Sequence, residues 1–242
     1  YIAMEIVENQ IIGEWVAKNY KTASVFKKHK IDFCCNGNRT ISEACERKNI
    51  DTASLINELQ NTLINPEQNI DFNAWELDLL ADYIEKTHHR YVVSKIEEIK
   101  PFLNKVIRVH GVHNPELKEI ELLFNQSSQE LTQHMQKEER VLFPFIRNMV
   151  AAKLDKKPMQ QPPFGTVENP ISMMKHEHQN EGERFEKIAA LSDNYNPPSH
   201  ACNTYRVTFA LLKEFEDNLH QHIHLENNIL FPKAIELEKE FH

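Results

Sequence analysis

The chain has 242 residues, a formal net charge of -8 and only five glycines. That length allows one large or two modest domains with a real core, and the acidity argues against nucleic acid or an anionic membrane surface as a partner. Scarce glycine beside abundant Glu, Lys, Leu, Ile and Ala points to an all-α fold.

No apolar run approaches the roughly 20 residues that span a bilayer, so no membrane is expected. No N-terminal secretion signal is visible, and a cytoplasmic location is expected. Tyr1, Ile2 and Ala3 precede Met4, which is the expected native start. Residues 4–62 carry the short amphipathic runs "IIGEWVA", "TASVFKKH" and "TASLINELQ". Thr40 and Glu43 have capping-box spacing, which predicts a helix from about Ile41. This small helical domain, only marginally stable alone, holds three of the four cysteines, with Cys34 and Cys35 adjacent. Such usage is not that of a secreted disulfide framework. A linker is expected over 63–73, around Pro66.

Residues 74–238 read as one longer domain. Helices are predicted at about 74–100, 116–149, 171–191 and 203–231, punctuated by Pro115, "KKPMQQPPFGTVENP" and "NYNPPSH". Four such helices form an up-down-up-down four-helix bundle in the simplest topology. Two stretches echo each other, "HMQKEERVLFP" from His134 and "HIHLENNILFP" from His222. They lie 88 residues apart (222 minus 134), and His89 and His178 lie 89 apart (178 minus 89). The echo predicts a pseudo-twofold bundle, each half giving one helix with a single histidine and one with His-x-x-x-Glu.

A helical side chain turns about 100° per residue, so each apolar face can be located. In the last helix Leu211, Leu212, Phe215, Leu219, Ile229 and Leu230 define the face that contains His222 and Glu226. His224 falls roughly opposite, towards solvent, and His220 to one side, at most a group beside the ligands. In the second helix Leu131, Val141 and Phe145 share a face with His134 and Glu138, with Glu130 near its edge as a candidate for support around the ligands. In the third, Ile171, Phe185 and Ala189 put His178 inside and His176 outside. The first helix has scattered apolar residues, and its periodicity does not choose between His88 and His89.

A single histidine on an apolar face is ordinarily a satisfied core residue. An ionised carboxylate in a bundle core costs several kcal/mol unless paired or metal-bound, however. Two inward glutamates, each one turn from an inward histidine, call for cations. Four imidazoles and two carboxylates suit two metals, each with two histidines and both glutamates as bridges. Four protein donors per metal leave room for a bridging oxo or hydroxo group or an exogenous ligand, and iron is the expected occupant of both places. Ferritin-like di-iron bundles use Glu-x-x-His and more carboxylates.

The helical part resembles hemerythrin-like domains. Residues 4–235 resemble the bacterial repair-of-iron-centres di-iron proteins, which help restore iron–sulphur clusters after nitrosative or oxidative damage. The resemblance rests on "IDFCCNG", "HMQKEERVLFP", "KHEHQNEG", "PPSHAC" and "HIHLENNILFP" in that order. It implies His89 as the first-helix ligand, and the set His89, His134, Glu138, His178, His222 and Glu226. Oxygen-carrying hemerythrins typically have five histidines; the poorer set here implies a more accessible and labile iron pair. The resemblance also links Cys34 and Cys35 to thiol chemistry or iron handling, although Asn36 stands where that family commonly has a glycine. Cys45 and Cys202 are expected to be buried, and His110 and His113 to lie in a loop without a role.

The leading expectation is repair of damaged or apo iron–sulphur proteins by iron supplied from a labile non-haem di-iron centre. Alternatives are a nitric oxide or peroxide reductase at that centre, a hemerythrin-like sensor or carrier of O2 or NO, and a metal-free helical scaffold. Homodimerisation stays open.

Overall fold

The computed structural model describes residues 8–63 and 70–241. The expected start at Met4 and most of the linker around Pro66 lie outside the described residues. Four short helices come first: α1 (Ile12–Lys18), α2 (Ala23–Lys28), α3 (Ile41–Lys48) and α4 (Thr52–Leu63). The Thr40 hydroxyl accepts from Glu43 N–H at 3.1 Å and the Glu43 carboxylate accepts from Thr40 N–H at 2.9 Å, closing the expected capping box.

The bundle follows in four rods. The first joins α5 (Leu77–Tyr83) to α6 (Arg90–His110) through a π-turn at Ile84–His89. The second joins α7 (Glu116–Lys137) to α8 (Phe143–Asp155) through a π-turn at Glu138–Leu142. The third is α9 (Glu168–Leu191). The fourth joins α10 (Asn203–Leu225) to α11 (Phe231–Lys239) through a π-turn at Glu226–Leu230. Among the described residues there are no strands, only an isolated bridge between Ile11 and Thr40. No helix is long and apolar enough to cross a membrane.

The rods differ from expectation where proline occurs. The first continues through Pro101 to His110 instead of stopping at residue 100. Proline there forfeits one backbone hydrogen bond, but Ile99, Leu103 and Val106 bury that stretch, each side chain contributing roughly 1.5–3 kcal/mol. His110 thereby ends a helix and is not in the loop, whereas His113 is. Pro232 does not close the last helix either. Pro144 and Pro232 have no N–H for the carbonyl four residues back. The chain absorbs this in wider turns, in which Phe143 N–H donates to the Glu138 carbonyl and Phe231 N–H to the Glu226 carbonyl. The added residue turns the following face, so Leu142, Phe143 and Ile146 are buried while Val141, expected inside, is exposed.

The apolar interior forms two clusters. One joins the N-terminal helices to the upper bundle, with Ile12, Trp15, Phe26, Phe33 and Leu55 beside Phe124, Phe215 and Leu219. The other is the lower bundle, from Phe72 and Leu80 to Phe143, Ile171, Phe231 and Leu237. Between them runs a polar layer at the level of the π-turns.

The N-terminal helices cover one side of α10, and this corrects the reading of His224. It is buried, its ring 5.7 Å from that of Phe33 and its Nδ1 3.0 Å from Asn228 Nδ2. A helical wheel of one segment could not register a covering domain. Cys202 departs the other way. It caps the start of α10, is exposed, and lies 3.2 Å from His110 Nε2; Cys45 is buried.

Candidate metal centre

Each π-turn begins or ends on a residue of the polar layer: His89 ends the first, and Glu138 and Glu226 begin the others. Extra residues of this kind are frequent at functional sites because they re-aim a side chain. The structure brings together all six residues of the expected set. His89, Glu138, His222 and Glu226 form one group of buried donors, and His134, Glu138, His178 and Glu226 form a second, with donor atoms within 4.8 Å of one another in each. Both glutamates belong to both groups. Each group takes one histidine from each half of the domain, so the pairing crosses between the halves.

The contacts are close. His134 Nε2 lies 3.3 Å from Glu138 Oε2, and His178 Nε2 lies 3.1 Å from Glu226 Oε2. His222 Nε2 lies 3.0 Å from Glu226 Oε1, and His89 Nε2 lies 3.4 Å from Glu138 Oε2. Both Glu138 oxygens, Glu226 Oε2 and His89 Nε2 are buried without a hydrogen-bond partner. Buried polar groups are rarely left so unless something else binds them, and two nitrogens with two carboxylates is a donor set that cations accept. The residues present therefore fit metal.

The electrostatics agree. Burial alone would push the His89 and His134 pKa values down, but the surrounding carboxylates, Glu138 foremost, lift each to about 10. Burial also opposes ionisation of Glu226, yet His222, His178 and His89 hold its carboxyl well below the usual range. The carboxylates of the layer and the protons of His89 and His134 thus stabilise one another. Metal entry would displace those protons.

Outside the donors lies a ring of supports, which fixes each imidazole. His89 Nδ1 meets Glu139 Oε1 at 2.8 Å, His134 Nδ1 meets Glu177 Oε2 at 2.8 Å, and His178 Nδ1 meets Asn227 Oδ1 at 2.8 Å. The hydrogen bond from His134, with that from Lys137, pulls Glu177 down to about 2. Phe143 stacks on His89 at 5.5 Å and Phe231 stacks on His178 at 5.9 Å. Each echo motif therefore supplies a shared glutamate, then a residue that holds a lone histidine, then a phenylalanine that stacks on it. The repeated spacing was a signal for these supports, but only the fold shows which histidine each one meets.

Other expected residues lie elsewhere. His88 is buried but turns to Asn218 Oδ1 at 3.1 Å and stacks on His222; burial pushes its pKa down to about 4. His176 is exposed, and His220 is half-buried against Phe33. Glu130 does not support the donors. Its exposed carboxylate pairs with Arg184 at 2.8 Å, because the edge of the α7 face opens to solvent there. Glu181, which sequence reasoning overlooked, is buried and accepts from Ser127 Oγ at 2.6 Å while pairing with Arg184.

Cys34 and Cys35 sit on a loop docked against this layer. Asp32 Oδ1 accepts from Cys34 N–H at 3.0 Å and Cys35 N–H at 2.9 Å, and Oδ2 accepts from Asn36 N–H at 3.1 Å and Asn36 Nδ2 at 2.7 Å. Asp32, Cys34 and Cys35 also place donor atoms within 4.8 Å of one another. The Asp32 oxygens are committed to the loop, so Asp32 is its anchor. The hydrogen bond to Cys35 and burial raise the Cys34 thiol well above its ordinary pKa. The two sulphurs are 3.8 Å apart.

Residues 80–234 match the model described as the hemerythrin HHE cation binding domain, and residues 8–63 match ScdA_N, described as a domain of unknown function (DUF542). The chain is 32% identical over 227 residues to the iron-sulfur cluster repair protein YtfE of Yersinia pseudotuberculosis, covering 94% of this chain and 97% of that one. It is 32% identical over 224 residues to the protein of the same name from Edwardsiella ictaluri, covering 93% and 96%. It is 31% identical over 229 residues to the iron-sulfur cluster repair protein ScdA of Staphylococcus haemolyticus, covering 94% and 99%. A cation-binding bundle behind an ScdA_N domain, matched along nearly its whole length, places this chain in the YtfE/ScdA family of hemerythrin-domain proteins.

Proposed function

We propose that the chain repairs damaged iron–sulphur clusters by supplying iron from a di-iron centre. His89 and His222 would hold one iron and His134 and His178 the other, with Glu138 and Glu226 bridging. The supporting observation is that both glutamates belong to both donor groups. Two cations sharing two carboxylates give both buried charges a partner, where they would otherwise depend on protonated histidines. Bound iron supplies redox and ligand-binding chemistry; the protein's part is to orient the imidazoles, keep the layer between two apolar clusters, and release protons on loading.

Four protein donors per iron, none of them thiolate, favour a pair that can be given up, and iron is then cargo. The partners would be damaged or apo iron–sulphur proteins in the cytoplasm, and Cys34 and Cys35 would act as thiols at the face of the donor layer. The same open positions support a second reading, turnover of nitric oxide or peroxide. The anaerobic iron-loaded chain mixed with a cluster-free acceptor separates the two. Supply predicts iron lost in proportion to clusters rebuilt; catalysis predicts steady consumption of nitric oxide with a reductant at undiminished bound iron. Reversible O2 or NO binding with neither outcome would instead describe a sensor or carrier.

A further inference from the structure

The two halves of the centre are built alike but are not held alike. After Glu138 comes Glu139, whose carboxylate is partly exposed and holds His89 Nδ1 at 2.8 Å. After Glu226 comes Asn227, whose Oδ1 accepts from His178 Nδ1 at 2.8 Å. A carboxylate only accepts, whereas an amide also donates. Asn227 Nδ2 donates onward to the Cys34 carbonyl at 3.3 Å. The chain of dipoles runs one way, from His178 Nδ1–H through the amide to the cysteine loop, leaving His178 Nε2 to face Glu226.

Two further contacts bind the loop to the same half. Cys35 Sγ lies 3.5 Å from the His178 backbone carbonyl. It packs beside Gly182, where even an added Cβ would lie in ordinary contact, 3.4 Å from the sulphur. Asn228 Nδ2 reaches the Phe33 and Cys34 carbonyls at 3.2 and 3.4 Å. Among the described residues, no hydrogen bond from Glu139 reaches the N-terminal helices.

We infer that the Cys34–Cys35 loop is the latch of the metal held by His134 and His178, acting through Asn227, while among the described residues neither histidine of the other metal, His89 or His222, has such a link to the loop. The inference rests on the two-metal reading above and adds an order of release. Lifting the loop removes the anchor of Asn227 and the contact on the His178 backbone together, so His178 Nε2 loses its aim. Asn227 is a positioning residue; it touches no metal.

The test loads the full chain anaerobically with Fe(II) and follows iron loss to excess ferrous chelator. In Asn227→Ala one iron of the two is expected to leave about tenfold to a hundredfold faster, since losing such a support weakens affinity by that factor and affinity changes fall mostly on the off-rate. The other iron keeps the parent rate. Gly13→Leu should wedge the N-terminal helices away, since even a Cβ at residue 13 would lie 2.5 Å from Asn228 Oδ1 and 3.0 Å from the Gly37 carbonyl. That variant should speed loss of one iron in the parent and add nothing in Asn227→Ala. By reciprocity, loading should slow iodoacetamide capture of Cys35 in the parent but not in Asn227→Ala, read by peptide mapping. Parent rates for both irons in Asn227→Ala, additive effects of the two substitutions, or capture of Cys35 indifferent to loading would each overturn the latch. A parent chain that takes up fewer than two irons would overturn the two-metal reading itself, and the latch with it. If Gly13→Leu does not fold, Asn227→Ala and the Cys35 capture carry the test.

Discussion

Replacing Glu226 and replacing His222 should have different stoichiometric effects, although the two residues are one helical turn apart. Glu226 belongs to both donor groups and His222 to one. Four-ligand structural zinc sites bind with an apparent 10–16 kcal/mol, or about 2.5–4 kcal/mol per donor taken evenly. Losing one donor then weakens a metal by about two to three powers of ten. His222→Ala should so weaken one metal and leave the second at parent affinity. Glu226→Ala should weaken both, and Glu138→Ala should match it. The assay is metal content after equilibration against chelators of graded strength, with circular dichroism to exclude unfolding. A Glu226→Ala chain that keeps one metal at parent affinity, or a His222→Ala chain that loses both, would refute the sharing of the glutamates.

Phe231 is fully buried against His178, and Phe231→Ala should cost about 3–5 kcal/mol in urea unfolding of the metal-free chain. Glu130→Ala should leave metal content unchanged and shift stability by less than about 1 kcal/mol, because its pair with Arg184 is exposed. His224→Ala should also retain metal but lose about 1–3 kcal/mol, since the ring fills the contact with Phe33. Asp32 has a lowered pKa, because donors from Asn36, Cys35 and Cys34 outweigh its burial. Its contribution is present above the unfolded value near 4 and fades as pH falls through the lower folded value. Asp32→Asn should therefore cost about 1–3 kcal/mol at pH 7, and its gap from the parent, measured by urea unfolding at several pH values, should narrow below about pH 4.

The all-helical fold and five of the six donors were legible because both depend on local periodicity, whereas His89 came from the resemblance alone. His222 and Glu226 share a face whatever packs on it, and the echo around His134 made the pattern hard to attribute to packing. What escaped was set between segments. His224 looked solvent-facing until the N-terminal helices covered α10, and Glu130 looked supportive until Arg184 drew it outward. Val141 was misplaced for a different reason. A fixed 3.6-residue period cannot follow a helix that takes in an extra residue, as this one does just before Pro144.

Those π-turns make each affected rod a message written in two reading frames. Down to Glu138 the helix is phased to aim its donors; from Leu142 it is phased to bury Leu142, Phe143 and Ile146. Deleting one residue inside the turn would restore a continuous frame and swing all that follows by about 100°. His134 would keep its place while the apolar stripe below left its core. The rod that ends in α11 is divided at Glu226 in the same way. A single codon thus separates the layer that binds from the layer that holds, and the two can vary independently so long as that codon remains.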